Sequence, residues 1–228
     1  MDAPRIISER PDIKPVKRAE RPIQPEIFWQ KFENSDQYSH HEVVKALFHI
    51  IEIKDMKTAT HCQAVSRYSR AIGRKVGMSD FDLNILSDAA LVHDIGKVMV
   101  DNVVIYKRSE LRPNERYQMQ SHPQKGMDIL EGFHMNDSVV DAAWHHHERW
   151  DGAGYPEGII GNEIRFMTQI VTVADTLDAM STNRAYRKAL SFEDILDELQ
   201  KGKGTQFNPE LAELMVEMLI KKEIRILG

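Results

Sequence analysis

Residues 81–95, FDLNILSDAALVHDI, do most to limit what this chain can fold into. They are apolar on nearly every side of a helical wheel, the pattern of a central helix surrounded by others. The surrounding helices are legible too. Val65, Tyr68, Ile72 and Val76 recur at helical spacing and make one apolar stripe. Residues 139–147 continue a helical pattern, and helices resume near 167–180, 192–199 and 209–221, the last with Asn208 before Pro209 as its start. Ser121-His122-Pro123-Gln124 has the form of a capping box with proline early in the helix, which puts His122 at the helix start. The run from Asp151 to Pro156 breaks the pattern, and residues 158–165, with Gly158 and Gly161, form either a short β-hairpin or an irregular loop. The fold class is all-α.

The start of the chain reads differently. Pro4, Pro11, Pro15, Pro22 and Pro25 sit among Arg5, Arg10, Lys14 and Lys17. Proline fixes its backbone and donates no hydrogen bond, so residues 1–27 read as a basic tail or linker and 28–228 as the folded domain. With 42% hydrophobic residues in 228, one sizeable core is the default. The formal net charge of −5 argues against a broad basic face, and so against DNA as a partner. Cys62 is the single cysteine, which excludes an internal disulfide and suits a reducing cytoplasm. No apolar run approaches the roughly 18 residues of a membrane span, so a cytoplasmic location is expected.

Ten histidines are more than a domain of this size needs, and five keep company suited to metal chemistry. His93-Asp94 closes the most buried helix, where an ionised aspartate is costly unless paired or bound to a metal. Adjacent helix residues point about 100° apart, so an ion between them can be gripped by both. Lys97 follows one turn later and can reach a phosphate held there. His146-His147-Glu148 repeats the arrangement at another helix end. His122 adds an imidazole at a helix start, His61 opens the stripe helix, and Asp175 follows the apolar run 170–174. Imidazole with carboxylate suits Fe, Mn or Zn rather than Ca or Mg. Seven such ligands exceed the needs of one tetrahedral ion but match two bridged ions about 3.5–4 Å apart. His40, His41, His49, His134 and His145 read as ordinary surface or packing histidines, and Cys62 as core.

These residues occur in an ordered set of segments: residues 55–61, DMKTATH; 91–97, LVHDIGK; 121–123, SHP; 146–156, HHERWDGAGYP; 173–180, VADTLDAM; and 184–187, RAYR. Together, across about 51–207, they resemble the HD-GYP family of cyclic-di-GMP phosphodiesterases within the HD phosphohydrolase superfamily. The resemblance implies a helical bundle and two divalent ions, iron or manganese. It implies His61, His93, Asp94 and Asp175 on one ion, with Asp94 bridging to a second held by His122, His146 and His147. It implies that Lys97 contacts substrate phosphate, that Asp178, Arg184 and Arg187 line the substrate groove, and that Tyr155 lies beside the pocket. That loop also offers diguanylate cyclases a contact surface, and a helical homodimer is in keeping with the fold. Members with a third ion carry a glutamate four residues before the first histidine. Lys57 stands there, so two ions and the linear product pGpG are expected, with onward hydrolysis to GMP left open.

By this resemblance the chain is a metal-dependent phosphodiesterase in which a hydroxide bridging the ions attacks phosphorus. Three alternatives stand beside cyclic-di-GMP hydrolysis: a nucleotide phosphohydrolase, a phosphodiesterase for 3',3'-cyclic GMP-AMP, and a sensor that binds a cyclic dinucleotide or a cyclase without cleavage. The glycine-tyrosine-proline loop argues against the first, and the full ligand set against the last.

Overall fold

The computed structural model describes residues 40–183 and 188–226, all within the compact unit Tyr38–Gly228. The expected boundary at residues 27 and 28 falls outside them. The helices are α1 (His40–Lys54), α2 (Met56–Lys75), α3 (Asp80–Val92), α4 (Asn102–Ile105), α5 (Pro113–Gln120), α6 (His122–Gly132), α7 (Asp137–His145), α8 (Phe166–Ser181), α9 (Phe192–Gly202) and α10 (Pro209–Ile220). Two 3₁₀ turns, Ile95–Met99 and Gly161–Glu163, complete the order, and no strand occurs among the described residues. The all-α expectation holds. None of the described helices is long and apolar enough to cross a membrane.

Local chemistry sets the helix starts. The Asp55 carboxylate accepts from the backbone N–H of Lys57 and Thr58 and so caps α2. Ser79, Asn136, Ser191 and Asn208 cap α3, α7, α9 and α10 in the same way. Helix α2 packs most extensively, against α3 and α8, and α3 also lies on α7. Cys62, Val65, Tyr68 and Ile72 of α2 are buried with Leu86, Ala89, Ala90 and Val92 of α3 and Ile170, Val173 and Leu177 of α8. These three helices form the centre from which the polar cluster opens.

Local details differ from the sequence reading. Val76 closes the stripe on paper, but it caps the end of α2 and is exposed. Phe81 likewise faces outward at the start of α3. Helix α2 begins at Met56, so His61 lies in its second turn rather than opening it. Ser121 forms no capping box. It continues the right-handed conformation of α5 (φ −81°, ψ −9°), so its hydroxyl turns back to donate to the Gln118 carbonyl at 2.7 Å. His122 nevertheless starts α6, with Pro123 in the first turn. Residues 158–165 make no hairpin. Gly161 takes a left-handed conformation (φ +55°) and Glu163 turns back to accept from the Ile160 N–H, which closes a 3₁₀ turn.

Candidate metal centre

Five elements deliver the candidate ligands to one place. His61 comes from α2, His93 and Asp94 from the end of α3, and His122 from the first residue of α6. His146 and His147 follow α7, and Asp175 lies in α8. One potential ligand atom each of His61, His93 and Asp94 lies within 4.8 Å of the others, and the same holds for His122, His146 and His147. Asp175 joins the first group, its Oδ1 3.0 Å from His61 Nε2. Asp94 stands between the groups. Its Oδ1 is 3.2 Å from His122 Nε2 and 3.7 Å from His146 Nε2, and its Oδ2 is 3.5 Å from His93 Nε2 and 3.8 Å from His61 Nε2.

The backbone decides which way the rings face. His93 Nδ1 donates to the Ala90 carbonyl, His122 Nδ1 to Met119, and His146 Nδ1 to Ala142 and Ala143. A carbonyl only accepts, so each Nδ1 carries a proton and each Nε2 is turned to the cluster, those of His122 and His146 lying 3.2 Å apart. His61 is oriented by a side chain instead, its Nδ1 lying 2.6 Å from Asp178 Oδ2 while its Nε2 faces Asp175. Thr172 donates to the His146 carbonyl and ties the end of α7 to α8. The turn Ile95–Met99 sits against the start of α6 because residue 96 is glycine. A Cβ there would stand 1.9 Å from the His122 carbonyl oxygen and 2.6 Å from the Gly126 nitrogen.

The site's electrostatics are uneven. Burial alone would lower the His61 pKa, but hydrogen bonds to Asp175 and Asp178 raise it to about 9. Burial, with His122 nearby, lowers His147 to about 3. Burial also lowers His93, and it lowers His146 well below its ordinary value with help from His147. Burial would raise Asp94, yet Lys97 and His93 hold its carboxyl well below the usual range, and Asp175 is likewise held low against burial by His61. The Lys97 ammonium lies 2.5 Å from Asp94 Oδ2, so it pairs with Asp94 rather than following His93.

Two buried atoms test whether this set fits a metal. Among the described residues, His93 Nε2 and Asp94 Oδ1 have no hydrogen-bond partner, although His122 Nε2 stands 3.2 Å from the latter. Buried polar atoms are rarely left so. A cation between the aimed lone pairs of imidazole and carboxylate satisfies both, and the donor set suits a transition metal. The residues fit the group.

The other site residues divide. Tyr155 lies beside the cluster, its ring stacked on His147 with centroids 4.8 Å apart and planes at 24°. Asp178 departs from the groove position expected of it: it is buried, and its carboxylate is taken up by His61. Arg184 and Arg187 lie outside the described residues. Lys57 is exposed and brings no carboxylate. His145, ordinary by its sequence context, is buried between Asp141 (Nδ1 to Oδ1, 2.8 Å) and Glu157 (Nε2 to Oε2, 3.1 Å). Asp141 and His145 stand four apart in one helix, a spacing that could have revealed the pair. Glu148 Oε1 accepts the N–H groups of Glu157 and Gly158.

Fold and cluster together define a helical protein with a His/Asp centre able to hold metal ions. The chain belongs to the HD domain family, whose model matches residues 45–211. The resemblance to HD-GYP proteins carried by its motifs stands. It is 32% identical over 178 residues to the 3'3'-cGAMP-specific phosphodiesterase 2 of Vibrio cholerae, covering 77% of this chain and 34% of that protein. It is 34% identical over 187 residues to a cyclic di-GMP phosphodiesterase of Thermotoga maritima, covering 80% of this chain and 50% of that one. The chain thus spans half or less of the length of both. An HDG"Y"P protein from Bdellovibrio bacteriovorus superposes with a TM-score of 0.59 over 71% of this chain and 52% of its own; at 20% identity the likeness is one of fold.

Proposed function

We propose that this chain is a metal-dependent phosphodiesterase that opens a cyclic dinucleotide, cyclic-di-GMP in the first instance, to linear pGpG. The observation that carries the reading is the convergence of five histidines and two aspartates, with four Nε2 atoms aimed inward by hydrogen bonds on the opposite ring nitrogens. His61, His93, Asp94 and Asp175 would hold one ion and His122, His146 and His147 another, Asp94 reaching both. Bound there, two divalent ions would supply Lewis-acid charge and bring the pKa of a water toward neutrality.

The remaining steps belong to the chain. Lys97 holds an ammonium beside Asp94, where it meets a phosphoryl oxygen and offsets the charge that builds there. Hydrolysis places a water oxygen on phosphorus and releases the ribose 3′-oxygen as a hydroxyl, leaving a 5′-phosphate. The Tyr155 ring walls the side of the site next to His147. Arg184 and Arg187, outside the described residues, are assigned the second phosphate through the family resemblance. Lys57 in place of a third-ion carboxylate favours pGpG as the end product. Diguanylate cyclases remain proposed partners of the loop that carries Tyr155.

The test is hydrolysis by protein loaded anaerobically with Fe(II) or Mn(II), with products separated over time and ions counted on the same sample. Metal-dependent pGpG with about two ions per chain supports the reading. Loaded protein that leaves cyclic-di-GMP intact removes it. A second substrate belongs in the same assay, because one of the relatives acts on 3'3'-cGAMP. A higher kcat/KM for that dinucleotide would transfer the assignment to it.

A further inference from the structure

Four of the five site histidines are held from behind by a hydrogen bond on Nδ1. His147 is the exception: among the described residues neither ring nitrogen has a hydrogen-bond partner. Its ring instead lies against Tyr155, whose backbone N–H donates to the His147 carbonyl at 3.3 Å. An unrestrained imidazole can rotate about its bond to Cβ, and a near-parallel aromatic ring 4.8 Å away limits that rotation.

Tyr155 is itself held by the loop around it. Gly154 lies so close to the preceding segment that a Cβ would stand 2.4 Å from the Arg149 nitrogen and 2.5 Å from the Glu148 Cα. The buried Glu148 carboxylate accepts the N–H of Glu157 at 2.7 Å and of Gly158 at 2.9 Å, just beyond the tyrosine. Glu157 reaches on to His145, which Asp141 holds from the other side. Glu148 follows His147 directly in the chain. One short segment therefore supplies the candidate ligand and also the acceptor that folds the loop back over it.

We propose that Tyr155 is a positioning residue for His147, taking the place of the hydrogen bond the other four histidines have, and that Glu148 holds Tyr155 there through the loop. The inference rests on His147 being a metal ligand. It gives the tyrosine a task that needs its ring and not its hydroxyl, and it gives Glu148 a task that needs an acceptor oxygen and not a charge.

The full chain, stripped of metal, would be titrated with Mn(II) as wild type, Tyr155→Ala, Tyr155→Phe, Glu148→Ala and Glu148→Gln. Binding is read by calorimetry and by ions bound per chain, with a thermal melt of each variant. Wild type is expected to bind two ions. Tyr155→Ala and Glu148→Ala are expected to keep one and to bind the other about tenfold more weakly or worse. Tyr155→Phe and Glu148→Gln are expected to behave as wild type, and weakening of one ion in Tyr155→Ala with the other ion and the melt unchanged is the result a general packing role does not predict. If Glu148→Ala does not fold, the two tyrosine variants decide alone. Tyr155→Ala protein that binds both ions as wild type does, or loses both equally, overturns the inference. A Tyr155→Phe variant as weak as Tyr155→Ala also overturns it. Wild-type protein that takes up no ion overturns the metal reading, and this inference with it.

Discussion

The two halves of the cluster use the same side chain in opposite surroundings. Around His61 stand three carboxylates, Asp94, Asp175 and Asp178, and they raise its pKa to about 9. Around His147 stand imidazoles and the Tyr155 ring, and burial among them lowers its pKa to about 3. The ligand type is shared; the second layer is not. One half holds its histidine with charge, so a proton competes for it near neutral pH. The other holds its histidine by burial and stacking, so the lone pair is already free.

The largest effect expected on this comparison comes from the residue both halves share. Asp94→Ala removes the carboxylate within 4 Å of His61, His93, His122 and His146, and should reduce both ion loading and turnover to background. A fully loaded, active variant would falsify the assignment. Lys97→Ala should leave two ions bound and lower kcat by about 10²–10³ against cyclic-di-GMP, read by steady-state kinetics beside a metal count. Asp178→Ala should act on the carboxylate-rich half alone, weakening one ion by about 10–100-fold while the other stays. Equal weakening of both ions would merge the two halves into one unit.

The pH dependence sharpens the contrast further. At pH 7 His61 carries a proton that an incoming ion must displace, whereas His147 carries none. Binding at the first half should therefore strengthen about tenfold per pH unit up to about pH 9, whereas His147 adds no such slope to the second above about pH 3. Calorimetry in buffers of different ionisation enthalpy separates the two. In chelated protein, the stability contributed by protonated His61 is fully present below its ordinary value of 6.5 and lost as pH rises to about 9. His147 acts with the opposite sign: its fold favours the neutral ring, so stability falls as pH drops from 6.5 toward 3. The smallest effect is Asp55→Ala, which uncaps the helix carrying His61. It should cost ~1 kcal/mol and lower Tm by a few degrees with ion stoichiometry intact.

Much of this was readable beforehand. The seven candidate ligands stand out because a histidine or aspartate beside an apolar run has few other reasons to be there, and the structure brings all seven together. Helices α2, α3, α7, α8, α9 and α10 are legible from the sequence pattern, Asn208 as the start of α10 from its place before a proline, whereas α1, α4 and α5 are not singled out by it. What escaped was the layer behind the ligands. The groove role of Asp178 comes from the family resemblance alone, and its sequence neighbours give no sign of His61, 117 positions earlier. The spacing of Asp175 and Asp178, three apart on one helix face, held the clue that both carboxylates meet one partner. His145 passed as ordinary because its two acceptors come from different elements, and only Asp141 lies at helical spacing. Ser121 misled because a capping motif says nothing of the helix before it; α5 runs into that residue and turns its hydroxyl the other way.

Gly96 offers no atom to chemistry, yet the closeness of the turn after Asp94 to the residue that begins α6 depends on its having no side chain. Such a position works as a spacer: it helps set how far apart the two halves stand. A single methyl group there would push His122 away from Asp94 while leaving every candidate ligand in the chain. Inheritance of an intact ligand set is therefore no guarantee of an intact centre, and a relative with alanine at this position would look complete on paper and be built to a different gauge.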